Sequence, residues 1–286
     1  MTAVEHVSDT AFWIANYRAN ETDRPNALFR DPLARKLAGV RGREIANSMP
    51  GSKMTEWITA IRTVVIDKYI NQAVANGVDT VLNLGAGLDT RPYRMELPQS
   101  LRWVEVDFPR MIEYKERLLA ADTPRCNLER FKLDLTNRDL RRALLANVNA
   151  SAKRVLVLTE GVVPYITNDD AASLADDLQL NDKFELWIVD YFSHAVLSMS
   201  QRQNMRERMQ NSPFLFDPPD WNAFFREHGW RARQMRYLAE ESVALKRPIP
   251  LPRIAKIFYV IGRLFMSKAK QMQSMKFMGY AVMERV

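Results

Sequence analysis

Val81-Leu82-Asn83-Leu84-Gly85-Ala86-Gly87-Leu88-Asp89-Thr90 decides the fold of this chain. An apolar run passes straight into a glycine turn, the pattern of a buried parallel strand entering a tight loop. Twenty residues after Gly87, a second run, Leu101-Arg102-Trp103-Val104-Glu105-Val106, ends at the acid Asp107. A strand, a glycine loop and an acid at the next strand's tip form the nucleoside-binding half of a doubly wound α/β sheet. Glycine reaches φ > 0 and lets a ligand approach the backbone. The Asp107 carboxylate can accept hydrogen bonds from two ribose hydroxyls.

The loop also discriminates between cofactors. A dinucleotide loop follows G-x-G-x-x-G, because its pyrophosphate sits on a helix N-terminus and the third Gly permits close packing. Here the third position is Thr90, followed by the bulky Arg91-Pro92-Tyr93-Arg94. A cofactor with a ribose and no pyrophosphate fits better. S-adenosylmethionine is therefore favoured over a nicotinamide dinucleotide, with a ligand-free α/β turn as the remaining reading.

Outward from this stretch, strands are predicted near 80–84, 101–106, 129–133, 154–159 and 184–191. Helices alternate with them near 91–96, 109–121, 137–148 and 168–180. Apolar strands alternating with helices imply a mostly parallel sheet covered on both faces. Ligands in such sheets bind at the C-terminal strand ends, which groups Gly85, Gly87, Asp107, Asp134 and Glu160 around one crevice. Upstream, Asp9–Asn20 has helical spacing, Asp31-Pro32 opens a helix with Pro at its first position, and Met54–Ala75 forms a long amphipathic helix that Asn76-Gly77 terminates. Downstream, the pattern breaks after Phe192. Residues 195–211 read as a Met-rich helix, Asp220 caps a short helix, and strands follow near 231–236 and 277–285.

Several segments together resemble the leucine carboxyl methyltransferase family, which includes bacterial O-methyltransferases of polyketide biosynthesis. They are Leu84-Gly85-Ala86-Gly87-Leu88-Asp89-Thr90-Arg91 with Tyr93-Arg94, Glu105-Val106-Asp107-Phe108-Pro109 with Lys115, Asp134-Leu135, and Leu158-Thr159-Glu160-Gly161-Val162-Val163-Pro164-Tyr165. Leu28-Phe29-Arg30-Asp31-Pro32-Leu33-Ala34 and Arg62-Thr63 also match. The resemblance implies a seven-stranded Rossmann-like methyltransferase fold with S-adenosylmethionine as cofactor. It implies one domain over 1–286: an N-terminal helical cover (1–77), a cofactor-binding core (78–194), and a C-terminal lid insertion with the final strands (195–286).

Site roles follow. The Gly85-Ala86-Gly87 backbone lies against the methionyl part and ribose, and Asp107 takes the ribose hydroxyls. Asp134 and the Leu135 backbone face the adenine amino group. By resemblance, Arg62 binds the cofactor carboxylate, a geometry that suits a guanidinium fork, and Glu160 sits near the cofactor's amino group or sulfonium. Arg18 is a weaker second candidate. Methyl transfer is an in-line displacement that depends on holding the reactants together. A carboxylate acceptor is ionised at pH 7 and needs no base. A small-molecule carboxylic acid, polyketide or acyl in type, is the leading substrate. Methylation of a hydroxyl with His194 as base, or of a protein C-terminal carboxylate, is the alternative. Tyr165 is a candidate to contact or orient the acceptor. Arg91 and Arg94 either pair an acidic substrate or bridge acids at the surface.

Composition bounds the rest. The 286 residues carry 41 Lys and Arg against 34 Asp and Glu, a net charge of +7. Over most of the chain the two signs are interspersed, and no Cys/His cluster or RNA-binding aromatic signature appears, so nucleic acid is not the expected partner. Only Lys246 to Lys276 is basic without an acid. Within it, Ile254 to Met272 has amphipathic spacing, which fits a lid helix ahead of a helix lying weakly on an anionic membrane. It is too short and charged to span one. With the Met-rich 199–209 segment it would form an adaptable apolar pocket. The single Cys126 and the absence of an apolar run in Met1–Thr10 fit a cytoplasmic, reducing location.

Overall fold

A computed structural model describes residues 8–49, 51–200, 213–251 and 267–286. The apolar runs form seven strands: β1 (Thr80–Leu84), β2 (Arg102–Asp107), β3 (Asn127–Lys132), β4 (Val155–Leu158), β5 (Phe184–Phe192), β6 (Trp230–Tyr237) and β7 (Met278–Arg285). They make one sheet in the order β3-β2-β1-β4-β5-β7-β6. β1 to β5 are parallel, and β7 enters antiparallel between β5 and β6. The sheet is thus mostly parallel and seven-stranded, as the alternation implied. All residues of β1 and β4 are buried, as a strand covered on both faces requires.

Helices account for that cover. α1 (Asp9–Thr22), α2 (Ala34–Ser48) and α3 (Ser52–Ala75) precede the sheet; α4 (Arg91–Arg94), α5 (Pro109–Leu118), α6 (Arg138–Ser151) and α7 (Asn168–Gln179) connect its strands. α8 (His194–Ser200), α9 (Trp221–Glu227), α10 (Leu238–Ala244) and α11 (Lys268–Ser274) complete the described helices. One face of the sheet packs Val157, Trp187 and Val189 against Leu145, Leu174, Phe225 and Trp230. The other packs Leu156, Leu158 and Ile188 against Ile61, Ile66, Tyr69 and Ile70 of α3. Asn137, Thr167 and Asp220 cap their helices by accepting from the backbone N–H three residues on. α3 ends at Gly77, whose φ of +92° suits the left-handed stop expected there.

Several boundaries differ from expectation. Pro32 lies in a turn before α2, which starts at Ala34 with its N–H held by the Asp31 side chain. α2 itself kinks at Gly39 (φ +58°). The helices expected to reach residues 96 and 121 stop at Arg94 and Leu118. Residues 201–212 and 252–266, with most of the Met-rich segment and of the stretch from Ile254, lie outside the described residues. No helix among the described residues is long and apolar enough to cross a membrane.

Candidate active site

The strand tips converge as the sheet topology demands. Asp107, at the end of β2 and 8% exposed, accepts from the Gly87 N–H through Oδ2 (2.6 Å) and from the Phe108 N–H through Oδ1 (2.7 Å). Burial raises its carboxyl above the usual range, and the two backbone N–H groups oppose that rise. Each oxygen keeps acceptor capacity beyond its backbone bond. The acid thus ties down the loop of β1 while presenting oxygens at its lip.

Gly85 (φ +69°) and Gly87 (φ +47°) are left-handed, where side chains are strained. A Cβ at Gly85 would lie 2.4 Å from Val162 Cγ2, and one at Gly87 would lie 3.2 Å from Ala11 Cβ. These glycines therefore admit close protein neighbours on their Cα side. Ala86 is buried between them, its N–H donating to the Val106 carbonyl at 3.1 Å. Gly161 (φ +68°) is the reverse case: no described atom lies within 4 Å of a Cβ placed there.

Beside the loop runs a network of ion pairs. Arg91, 2% exposed, pairs with Asp67 of α3 (2.7 Å), Asp89 of the loop (2.8 Å) and Glu160 after β4 (2.7 Å). Arg94 pairs with Asp67 at 2.6 Å, and Arg62 Nε lies 2.9 Å from Glu160. Burial alone would raise the carboxyls of Asp89 and Glu160, but the arginines beside them hold both below the usual range. Arg91 and Arg94 thus bridge acids inside the molecule and are not presented to an acidic substrate. A second clasp holds the loop from the N-terminal side. Asp31 accepts from Arg18 Nε (2.8 Å) and Thr90 Oγ1 (2.6 Å), and Arg18 Nη2 donates to the Leu88 carbonyl (2.5 Å). Arg18 is therefore engaged with the loop backbone.

Arg62 stands at the centre of the crevice wall. Its Nε is buried and, despite the proximity of Glu160, finds no aligned hydrogen-bond acceptor. Its charge is felt by Asp190, Tyr165 and Tyr280. Tyr165 sits in the 3₁₀ turn Val163–Tyr165 and packs on Phe214, ring centroids 5.1 Å apart. Burial pushes its phenol up to about 12, so it remains a neutral donor at pH 7.

The sequence missed Asp190, near the C-terminal end of β5 and 3% exposed. It accepts from Tyr280 Oη (2.7 Å) and from the Gly161 N–H (3.1 Å to Oδ2). Burial pushes its carboxyl up to about 6; the Tyr280 hydrogen bond and the Arg62 charge only partly oppose this. A signal was present: an apolar strand ending in an acid, Trp187-Ile188-Val189-Asp190, parallels Leu156-Val157-Leu158-Thr159-Glu160.

Three expected residues are placed less favourably. The exposed Asp134 turns to its own neighbour, accepting from the Thr136 N–H (2.9 Å) and Oγ1 (2.8 Å). The Leu135 carbonyl accepts from Arg141 Nη1 at 2.7 Å. His194 points its Nδ1 at Asp217 (2.6 Å) and its Nε2 at the Pro219 carbonyl (3.3 Å). Both ring nitrogens face acceptors. His194 lines a cavity of about 380 Å³ with Asp190, Phe192, Phe216, Trp221 and Pro164. That cavity opens beside the turn carrying Tyr165.

A doubly wound sheet with a glycine loop, an acid on the β2 tip and an antiparallel β7 defines a Rossmann-like methyltransferase. The family model for leucine carboxyl methyltransferase matches residues 11–179, and the chain belongs to that family. It is accordingly an S-adenosylmethionine-dependent methyltransferase. Among similar proteins, one of Streptomyces avermitilis assigned to the S-adenosyl-L-methionine-dependent methyltransferases is 30% identical over 85% of this chain and 89% of its own. A similarly assigned protein of Mycobacterium tuberculosis is 31% identical over 86% of each. A crystal structure of a Thermobifida fusca protein assigned as a methyltransferase has a TM-score of 0.55 at 18% identity, covering 95% of this chain and 94% of that one. It shares the fold.

Proposed function

We propose that the chain methylates the carboxylate of a small molecule to a methyl ester. Family membership carries this reading: the matched region spans the β1 loop, the β2 tip and the Glu160 segment, and the family is described by a carboxyl acceptor. When bound, S-adenosylmethionine supplies a methyl group on an electrophilic sulfonium. The crevice fits that cofactor because Arg62 offers a buried Nε without an aligned acceptor, which the cofactor carboxylate would satisfy. Asp107 would hold the ribose hydroxyls, with the Gly85-Ala86-Gly87 backbone alongside and Glu160 by the amino group. Asp134 and Leu135 border the adenine. Tyr165 donates to the acceptor and orients it.

The aromatic cavity beside Tyr165 supports a small acceptor with an apolar, acyl or polyketide-like body, since such pockets recognise ligands by apolar walls and few polar groups. A carboxylate acceptor is charged at pH 7 and attacks without a base.

Calorimetric titration with S-adenosylhomocysteine, beside NAD as control, tests the cofactor reading. Binding of the former alone is expected. In Asp107→Ala the loss of two charge-assisted hydrogen bonds should weaken binding by about 2–4 kcal/mol, roughly 30- to 1,000-fold. Unchanged affinity in that variant would remove Asp107 from the site. A screen of aromatic and acyl carboxylic acids with labelled donor should then yield alkali-labile methyl esters.

A further inference from the structure

Ester formation requires no proton acceptor, yet the site holds one. Asp190 lies near the C-terminal end of β5, ahead of Tyr191 and Phe192 and beside the β4 tip, and it lines the 380 Å³ cavity. Its surroundings fix it from every side. Tyr280 of β7 donates to Oδ1, and the Gly161 N–H approaches both oxygens at 3.3 and 3.1 Å. The charges of Arg62 on α3 and Glu160 after β4 act on it, as does the Tyr165 phenol. Trp221 of α9 donates to its backbone carbonyl at 3.2 Å. Oδ2 accepts one weak backbone bond and retains a lone pair.

Two carboxylates on neighbouring strand tips therefore differ in character. Arg91 and Arg62 hold the Glu160 carboxyl below its usual range, whereas burial pushes that of Asp190 up to about 6. Carboxyl pairs whose environments separate them in this way divide electrostatic and proton-transfer roles.

We propose that Asp190 is a general base by which the same site methylates hydroxyl acceptors, phenols foremost. The inference rests on the methyl-donor part of the reading above and is independent of its carboxylate part. The acceptor O–H gives its proton to Asp190 Oδ2 as its oxygen bonds to the methyl carbon. The carbon–sulfur bond of the donor breaks and its electron pair stays on sulfur. Asp190 then releases the proton to solvent. The aromatic walls of Phe192, Phe216 and Trp221 suit a flat ring.

The test uses the full chain with S-adenosylmethionine and three probes, 2-naphthol, 2-naphthoate and 6-hydroxy-2-naphthoate, with ether and ester products separated by mass and alkali lability. Wild type should form the ether, with kcat/KM rising through pH 6 to a plateau. Asp190→Asn, which keeps an acceptor for Tyr280, should lose ether formation by about 100-fold or more, the scale of general-base catalysis. Its affinity for 2-naphthol, read by tryptophan fluorescence with S-adenosylhomocysteine present, should stay within about threefold. Absence of ether from wild type anywhere between pH 6 and 9, or ether formation by Asp190→Asn at the wild-type rate, overturns the proposal. Ester without ether upholds the carboxylate reading and rejects this one; ether without ester does the opposite.

Discussion

At the scale of the residue, Asp190 has a cost that can be measured without any substrate. Its carboxyl titrates near 6 in the folded chain because burial disfavours the charge, against about 3.9 when unfolded. Between those pH values the folded state holds a proton that the unfolded state has lost. Stability from this group is thus complete below about pH 4 and lost as pH rises through 6. Two pH units correspond to about 3 kcal/mol. Asp190→Asn removes the titration, so its stability relative to wild type should improve by about 1–3 kcal/mol from pH 4.5 to pH 8 in urea unfolding. The range allows for the weakened contact with Gly161. A difference between the two proteins that is constant with pH would contradict the burial argument. The residue scale is also where sequence reading was most uneven. Asp107 was legible because a fixed spacing separates it from the glycine loop. Asp190 was passed over because its partners, Gly161 and Tyr280, lie 29 and 90 residues away. At Gly85 and Gly87 the long-range packing was equally out of reach: Val162 and Ala11 occupy the space that glycine leaves.

At the scale of the element, the helices and strands were legible because their periods are local, and the pairing between them was not. Arg91 joins α3, the β1 loop and the segment after β4 through acids 24, 2 and 69 residues away. No local pattern encodes that convergence, so Arg91 was read as a surface or substrate residue. The same holds for Pro32: Asp31 accepts from Arg18, Thr90 and the Ala34 N–H, which fixes a turn where sequence preference favoured a helix start. Removing one member of a buried ion network leaves uncompensated charge and costs about 3–5 kcal/mol. Arg91→Met should show a loss of that size in denaturant unfolding, with Asp67, Asp89 and Glu160 stripped of a shared partner. Arg91→Lys should recover only part of it, because an ammonium lacks the fork that reaches three carboxylates. A loss under 1 kcal/mol in Arg91→Met would mean that Arg94 and Arg62 suffice for the network.

At the scale of the whole molecule, the N-terminal cover must be held over the sheet, and the C-terminal half supplies the tie. Arg247 Nη2 donates to Glu21 Oε1 (2.7 Å) and to the Asn26 carbonyl (2.8 Å), while Trp57 Nε1 donates to the Arg247 carbonyl (2.8 Å). Glu21 also accepts from the Leu28 N–H at 2.7 Å. The side chains of Glu21 and Arg247 are only 3% and 10% exposed. One residue of the acid-free basic stretch is therefore an internal fastener linking α1, α3 and the chain after α10, a use that charge counting could not reveal. The pair spans 226 residues, so it acts on how the cover sits on the core. Arg247→Met leaves Glu21 buried with the Leu28 N–H and the more distant Arg24, whose half-exposed side chain brings Nε to 3.6 Å from Oε2, and should cost about 3–5 kcal/mol. Adding Glu21→Gln neutralises the stranded carboxylate and keeps an acceptor for Leu28. The double variant should accordingly be more stable than Arg247→Met alone, with a coupling of about 1–3 kcal/mol in a double-mutant cycle. Strict additivity would show that the cover is held by the apolar packing of α1 and α3, with the ion pair contributing nothing of its own.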